Sequence, residues 1–385
     1  EELGNGDTFR PANVGTFFGE PGKEVPDPYF GGEGPARSGC IHCGGCMVGC
    51  QHNAKNTLVK NYLYFAEKRG AEVWAETEVR DVKPLPAPQA DGARYEVKMW
   101  RSTAHLPHRT WNVRARNVIF SAGALGTLRL LFRCREETRS LANISPCLGT
   151  RVRTNSESLL GAINRDTRID YSQGIAITSI FNADAVTTIE PVRYPRGSSV
   201  MKFLSGPLTD GNTLPSRFGR AIAELLRRPL AYLRASYGGD WAGRTTILLV
   251  MQHKEDAIHM RLGRGLFTFF RRNLVSRRPQ TDAIPTRIES GHAIARQFAE
   301  KTDGLAQGSI NEGLFNIPIT AHLLGGIPFG HDATDGVIGA DFQVHEYPGL
   351  FVIDGSTMPS NPGVNPSLTI AALAEYAMSL IPNQS

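Results

Sequence analysis

No apolar run in this chain approaches the roughly eighteen residues that a helix needs to span a bilayer. There is no low-complexity tract either, since the 40 glycines and 24 prolines are scattered and mark turns. The net charge of +5 is mild and gives little reason to expect a nucleic-acid partner. A secreted disulfide framework is also missing: four of the six cysteines crowd between Cys40 and Cys50 instead of spreading through a short chain. No signal peptide opens the sequence, which begins at Glu1 in loop-like residues (Asn5-Gly6-Asp7, Arg10-Pro11). It reads as a piece or processed product of something longer, so the compartment stays open, with the cytoplasm or a membrane periphery favoured. The most telling absence is a Gly-x-Gly-x-x-Gly turn after an apolar strand. Gly123-Ala124-Leu125-Gly126 comes nearest, but its spacing is wrong and no acidic ribose partner follows. That excludes a self-contained dinucleotide cradle.

What is present is an ordinary globular composition, 41% apolar and 21% charged over 385 residues, long enough for two domains. Residues 1–50 are rich in Gly and Pro and read as an extended covering segment. A helix is expected over 56–69, with Leu58, Tyr62, Phe65 and Ala66 on one face and Gly70 as its stop. Strands are expected over 71–77, 95–101 and 111–115. A buried strand over 117–120 then enters a small-residue turn and a helix over 126–134, the order of α/β architecture. The middle changes character. Hairpins are expected from 174–181 with 185–189 and from 245–251 with 257–262, and helices near 216–227 and 284–300. The fold class is therefore α/β plus α+β. Domains are expected at 1–149 (a partial Rossmann-like unit), 150–319 (an antiparallel-sheet substrate domain) and 320–385 (a return to the first).

The strongest pattern is at the end of the chain. His322 precedes Gly325-Gly326; Phe351-Val352-Ile353-Asp354-Gly355-Ser356 follows; then come Gly363-Val364-Asn365-Pro366 and a helical run over 367–380. A strand delivering an Asp-Gly turn and then a helix N-terminus can hold an anionic group, because glycine admits close approach and the helix end offers free N–H groups. A core-satisfying histidine and a plain core helix, packed through Ile370, Leu373, Ala374 and Ala377, are the bland alternatives.

This segment resembles the flavin-binding end of glucose–methanol–choline (GMC) oxidoreductases, of the cholesterol-oxidase-like branch, and the resemblance extends over essentially the whole chain. It departs from the family pattern at Leu323 and Ile327. The resemblance implies a partial FAD-binding domain whose N-terminal βαβ unit is missing, FAD as cofactor, and His322 with Asn365 holding a substrate hydroxyl beside the flavin. It places Val79, Gly123, Asp354, Gly355, Asn365 and Pro366 at the cofactor. It also suggests Glu190, in Thr188-Ile189-Glu190-Pro191, as a base that shifts a double bond; an isolated surface carboxylate is the alternative. The implied substrate is a small apolar alcohol, sterol- or steroid-like, with oxygen or a carrier as electron acceptor.

Two features compete with this reading. Cys40, Cys43, Cys46 and Cys50 follow the C-x2-C-x2-C-x3-C spacing of ferredoxin cluster ligands. Gln51 stands where proline is usual, however, and no second cluster has cysteines, so ordinary thiols are the main expectation. A cluster would instead make the protein a GMC dehydrogenase with an iron–sulfur relay, acting on another hydrophobic alcohol. A non-catalytic fragment is the third possibility. Separately, six arginines and no acid lie between Arg261 and Arg278, interleaved with Phe267, Phe269 and Phe270. This reads as a solvated face with the phenylalanines tucked inward, the alternative being a rim that rests on anionic lipid as a peripheral membrane contact.

Overall fold

The computed structural model describes residues 2–86, 89–104, 109–211, 213–277, 284–285 and 287–382. Its contacts divide the chain into two compact units. The first gathers 1–73, 157–251 and 285–319; the second gathers 74–156, 252–284 and 320–385. These groupings differ from the expected boundaries: residues 1–73, which include the covering segment expected over 1–50, cluster with the middle of the chain, and 252–284 clusters with the C-terminal part.

The first unit is built on a seven-stranded sheet. Its spatial order is Arg10–Pro11, Ser179–Asn182, Thr187–Val192, Thr245–Gln252, Ser158–Asn164, Gly304–Ser309 and Ser205–Pro207. The expected 174–189 hairpin exists, with Phe181 opposite Ile189, and Asp184 shapes its turn by accepting from the Val186 and Thr187 N–H groups. The second expected hairpin does not. Thr245–Gln252 pairs antiparallel with Ser158–Asn164, while His259–Gly263 pairs with Asn273–Arg277. The first pairing joins strands about 80 residues apart in sequence, and the second is a hairpin with the strand that follows. The helix Glu289–Lys301 covers one sheet face, where Ile294 and Ala295 pack with Leu160, Ile189, Leu248 and Val250. Alternation sends Ile163, Ile247 and Leu305 to the other face, where Trp241 and Ala242 cover them.

In the second unit, Thr77–Pro84, Tyr95–Arg101 and Thr110–Ala115 form an antiparallel sheet. The expected strand over 71–77 is absent, since Val73 and Trp74 are exposed and regular pairing starts only at Thr77. Val118–Phe120 pairs in parallel with Leu350–Val352, the arrangement that α/β order demands. The helix Gly123–Glu136 follows the first of these strands and buries Leu128, Leu131 and Phe132 against Phe120, Val152, Phe342 and Val352. The C-terminal helix Ser367–Leu380 buries Ala377 and packs Leu373 and Ala374 on the same core. Leu368, Tyr376 and Met378 face solvent. Among the described residues no helix is long and apolar enough to cross a membrane.

The basic-aromatic stretch corrects one expectation. Phe269 and Phe270 are 87% and 67% exposed, so they point outward and are not tucked in. Both take left-handed backbone angles at the tip of the hairpin joining His259–Gly263 to Asn273–Arg277. Arg278 and the side chain of Phe267 lie outside the described residues.

Candidate active site

The second unit brings most of the expected site residues to neighbouring corners. The parallel strands end at two of them. After Val118–Phe120 the chain turns at Gly123 into a helix; after Leu350–Val352 it turns at Asp354-Gly355. Asp354 joins the two. One carboxylate oxygen accepts from the Gly123 N–H at 3.0 Å and from Thr127 Oγ1 at 2.5 Å. The other accepts from the Ser356 N–H at 2.7 Å and Ser356 Oγ at 2.5 Å. The carboxylate is thus occupied by protein donors and acts here as a clamp on both turns. Gly355 is buried against Ile370 of the C-terminal helix, where an added Cβ would come within 3.3 Å of Ile370 Cδ1.

Gly123 differs from its neighbours. Its φ is +71°, and the place where a Cβ would stand has no other atom within 4 Å. The corner therefore presents bare backbone to open space at the start of a 14-residue helix. The C-terminal helix, also 14 residues long, begins after the buried Pro366. Neither helix has an acidic side chain in its first turn, and neither has a side-chain cap. At Gly123 the first N–H is taken by Asp354, while the rest of each first turn has no acceptor within its own helix and carries the positive end of the dipole, which suits an anionic ligand.

His322 and Asn365 are both half-buried and are organised by adjacent residues. The His322 N–H donates to Thr320 Oγ1, whose hydroxyl donates to the Thr154 carbonyl, each at 2.8 Å. Asn155 fixes the other side: its amide group donates to the Val364 carbonyl at 3.0 Å and accepts from the Gly363 N–H at 2.8 Å. The Asn155 N–H donates to Asn361 Oδ1 at 2.8 Å, and Asn361 in turn donates to the Lys254 carbonyl and to Asp256. Asn155 and Asn361 are both fully buried, and Asn155 holds a left-handed φ of 58°. Burial pushes the Asp256 carboxyl above its ordinary pKa, against hydrogen bonds from Ser156 and Asn361. Sequence reading missed Asn155, Asn361 and Asp256 because isolated polar residues in loops carry no period.

Val79 lies in the strand Thr77–Pro84 opposite Met99, beside a register shift, and packs half-buried on the core. Glu190 belongs to the first unit. It is 3% exposed on Thr187–Val192, two residues before Val192, and so faces the same side of the sheet. Val192 packs there with Leu249, Met251 and Leu159, so the Glu190 carboxylate is held in the sheet and is not a surface group. Elsewhere in the same unit, burial pushes Glu312 up to about 8, against hydrogen bonds led by that from Ser158 Oγ at 2.7 Å.

The four clustered cysteines line one small cavity together with His52 and Lys55. All are free thiols. Burial raises the Cys40 thiol, while Cys50 lies below its usual value: burial opposes this, and backbone N–H groups from Lys55, Ala54 and His52 outweigh it. Among the described residues no three His, Cys, Asp or Glu side chains are placed to hold a metal ion.

Residues 281–374 match the family model for GMC oxidoreductase. The chain is 46% identical to a cholesterol oxidase of Acinetobacter baumannii, over 99% of this chain and 69% of that protein. It is 44% identical to a cholesterol oxidase of Mycobacterium tuberculosis, over 100% of this chain and 67% of that one. It therefore spans about two-thirds of the length of these relatives. A solved pyridoxine 4-oxidase from Mesorbium loti gives a TM-score of 0.49 at 17% identity, covering 79% of this chain and 57% of that one.

Proposed function

The chain belongs to the GMC oxidoreductase family of FAD-dependent alcohol oxidoreductases, and on that premise we propose that it serves the oxidation of a secondary alcohol on an apolar polycyclic skeleton, a sterol or steroid. The observation that carries this reading is identity above 40% to proteins named cholesterol oxidase, maintained over essentially the whole chain. The corner geometry supports it. Bare backbone at Gly123, held by the Asp354 clamp, and the start of the C-terminal helix, with no acidic residue in its first turn, fit a dinucleotide that bears phosphates. Gly123, Gly355, Asn365, Pro366 and Val79 are the residues we assign to hold it.

Bound FAD supplies the hydride acceptor. The protein's part is to hold the carbinol so that its hydroxyl proton has somewhere to go as the C–H bond breaks. We assign that to His322 and Asn365, an imidazole nitrogen and an amide that together can accept and donate to one oxygen. Asn155 and Thr320 act as positioning residues, because they fix the backbone on which those side chains stand. Glu190, buried on the strand Thr187–Val192, is assigned the proton shift that moves a double bond after oxidation. Oxygen is the acceptor we assign, as the word oxidase in the relatives' names suggests.

Contact with an anionic lipid surface belongs to the same reading. The helix Leu214–Arg227 exposes Leu214, Phe218, Ile222 and Leu226, four residues apart, beside Arg220 and Arg227. Such a face suits shallow insertion, and a water-insoluble substrate would be met there.

The test is anaerobic mixing of the FAD-loaded protein with a 3-hydroxysteroid. Loss of the oxidised flavin absorbance is expected, with peroxide formed when oxygen is admitted. A flavin that no such alcohol bleaches would overturn the reading. Glu190→Gln is expected to keep the bleaching and release unisomerised ketone, read by the absence of conjugated enone absorbance.

A further inference from the structure

Four thiols of the first unit have no part in the oxidation described above. Cys40, Cys43, Cys46 and Cys50 share one cavity of about 20 Å³. The loop that carries them is anchored to the segment before the sheet hairpin. Cys43 pairs in parallel with Gly174, the Gly44 N–H donates to the Gly174 carbonyl, and the Gly174 N–H donates to the His42 carbonyl, both at 2.7 Å. His42 and Gly44 take left-handed φ values of 57° and 71°. The chain bends there, and cysteines on both sides of the bend line the same space. A cavity of this size holds about one water-sized molecule, and hydrogen peroxide is little larger than water.

The four sulfurs are not equivalent. Cys40 is buried, which raises its thiol, and its sulfur accepts from the His42 N–H at 3.4 Å. Burial also acts against a charge on Cys50, but the backbone N–H groups of Lys55, Ala54 and His52 and the Lys60 ammonium outweigh it. The thiolate is the form that attacks an O–O bond, and a sulfenic acid beside a second thiol passes on to a disulfide. Among the described residues these side chains are not placed to hold a metal ion, and all four are free thiols. We propose that Cys50 is a peroxide-reactive cysteine, and that Cys43 or Cys46, half-buried in the same cavity, resolves it to a disulfide. In the first step the Cys50 sulfur attacks one peroxide oxygen. The O–O bond breaks, the S–O bond of a sulfenic acid forms, and the departing hydroxide takes up the proton that Cys50 gave up. In the second step the resolving sulfur attacks Cys50, the S–O bond breaks, and hydroxide leaves as water with the proton of the resolving thiol. Two thiols are oxidised and one peroxide is reduced to two waters, so no other reactant is needed. The peroxide can come from solution as well as from an oxidase reaction, so the site does not rest on the reading above.

The FAD-loaded protein would be treated with hydrogen peroxide, alkylated and mapped by mass spectrometry, with dimedone present in a parallel sample. Wild type should lose alkylation at Cys50 and at Cys43 or Cys46, while the buried Cys134 stays free. Cys50 is expected to react about tenfold or more faster than Cys147. Cys43→Ser combined with Cys46→Ser should stop at the sulfenic acid, read as a dimedone adduct on Cys50. Cys50→Ser should leave Cys43 and Cys46 reduced, and an unchanged Tm confirms that each variant is folded. Disulfide formation that survives Cys50→Ser or the double substitution would overturn the proposal, as would thiols that take no label until a chelator strips zinc or iron. Oxidation of Cys50 in protein whose flavin no alcohol bleaches would uphold this site and overturn only the oxidation reading.

Discussion

At the scale of single residues, the candidate site depends on side chains that do not touch substrate. Asn155 is the clearest. Its amide holds Gly363 and Val364, and its own backbone N–H reaches Asn361, so the turn carrying Asn365 hangs on one buried residue. Asn155→Ala removes two hydrogen bonds, one of them to the buried Gly363, and puts alanine at a left-handed φ, at a cost of about 2 to 4 kcal/mol. The expected outcome is a lower Tm together with a kcat that falls more than KM rises, because binding of the apolar skeleton does not need this turn. An unchanged kcat in a folded Asn155→Ala enzyme would remove its positioning role. Asparagine at this position also suits the backbone, since it tolerates left-handed angles better than most residues.

At the scale of elements, two local devices make measurable predictions. Gly325 has φ +66°, and an added Cβ would strike the Arg151 carbonyl oxygen in the short pairing of Val152–Arg153 with Leu324–Gly325. Gly325→Ala should therefore destabilise by more than the roughly 1 kcal/mol of left-handed strain alone, seen as a lower Tm in calorimetry. The second device is the start of the helix Ile310–Phe315, where Glu312 sits buried with a pKa of about 8. The folded state holds this proton more tightly than the unfolded chain, whose value is near 4.5. The stabilisation is complete below about pH 4.5 and is lost as pH rises through about 8. Glu312→Gln keeps the shape and removes the titration, so its Tm should fall less than that of wild type between about pH 5 and about pH 8. Parallel curves would show that Glu312 ionises normally.

Elements with strong local period were legible in the sequence. The strand Tyr95–Arg101 and the helix Ser367–Leu380 occur at the expected positions because alternation and the Ile370, Leu373, Ala374, Ala377 stripe are written within each segment. Pairing was less legible. The apolar run at 245–252 announces a buried strand, but its neighbour Ser158–Asn164 is chosen by side chains packing across the sheet. The helix expected over 56–69 breaks at Asn61, whose backbone leaves helical angles and whose side chain caps a shorter helix from Tyr62. Of the candidate site, the turn at Asp354-Gly355 and the start of the helix Ser367–Leu380 were legible because Gly, Pro and Asp punctuate them, while the roles of His322 and Asn365 there are part of the proposal. The network behind them joins residues up to 209 positions apart and leaves no local trace.

At the scale of the whole molecule, the chain leaves apolar surface uncovered. Leu368 is 82% exposed and Tyr376 56% exposed on the C-terminal helix. Leu368→Glu with Tyr376→Lys should lessen self-association in light scattering without lowering the Tm, since neither residue is in the core. Persistent association would place the sticky surface elsewhere, for instance on the helix Leu214–Arg227. The parallel pairing of Val118–Phe120 with Leu350–Val352 has a further consequence, for the timing of synthesis. Ser121 meets the Ile353 carbonyl across 232 positions of chain. At about 5–20 residues per second, the ribosome delivers the second strand on the order of ten to fifty seconds after the first. Throughout that interval the Val118–Phe120 edge lacks its partner, and the Gly123 corner lacks the carboxylate that clamps it. Those two turns can therefore close on one another only after Asp354 has been made, so a ligand that needs both would find its place only from that point of synthesis onward.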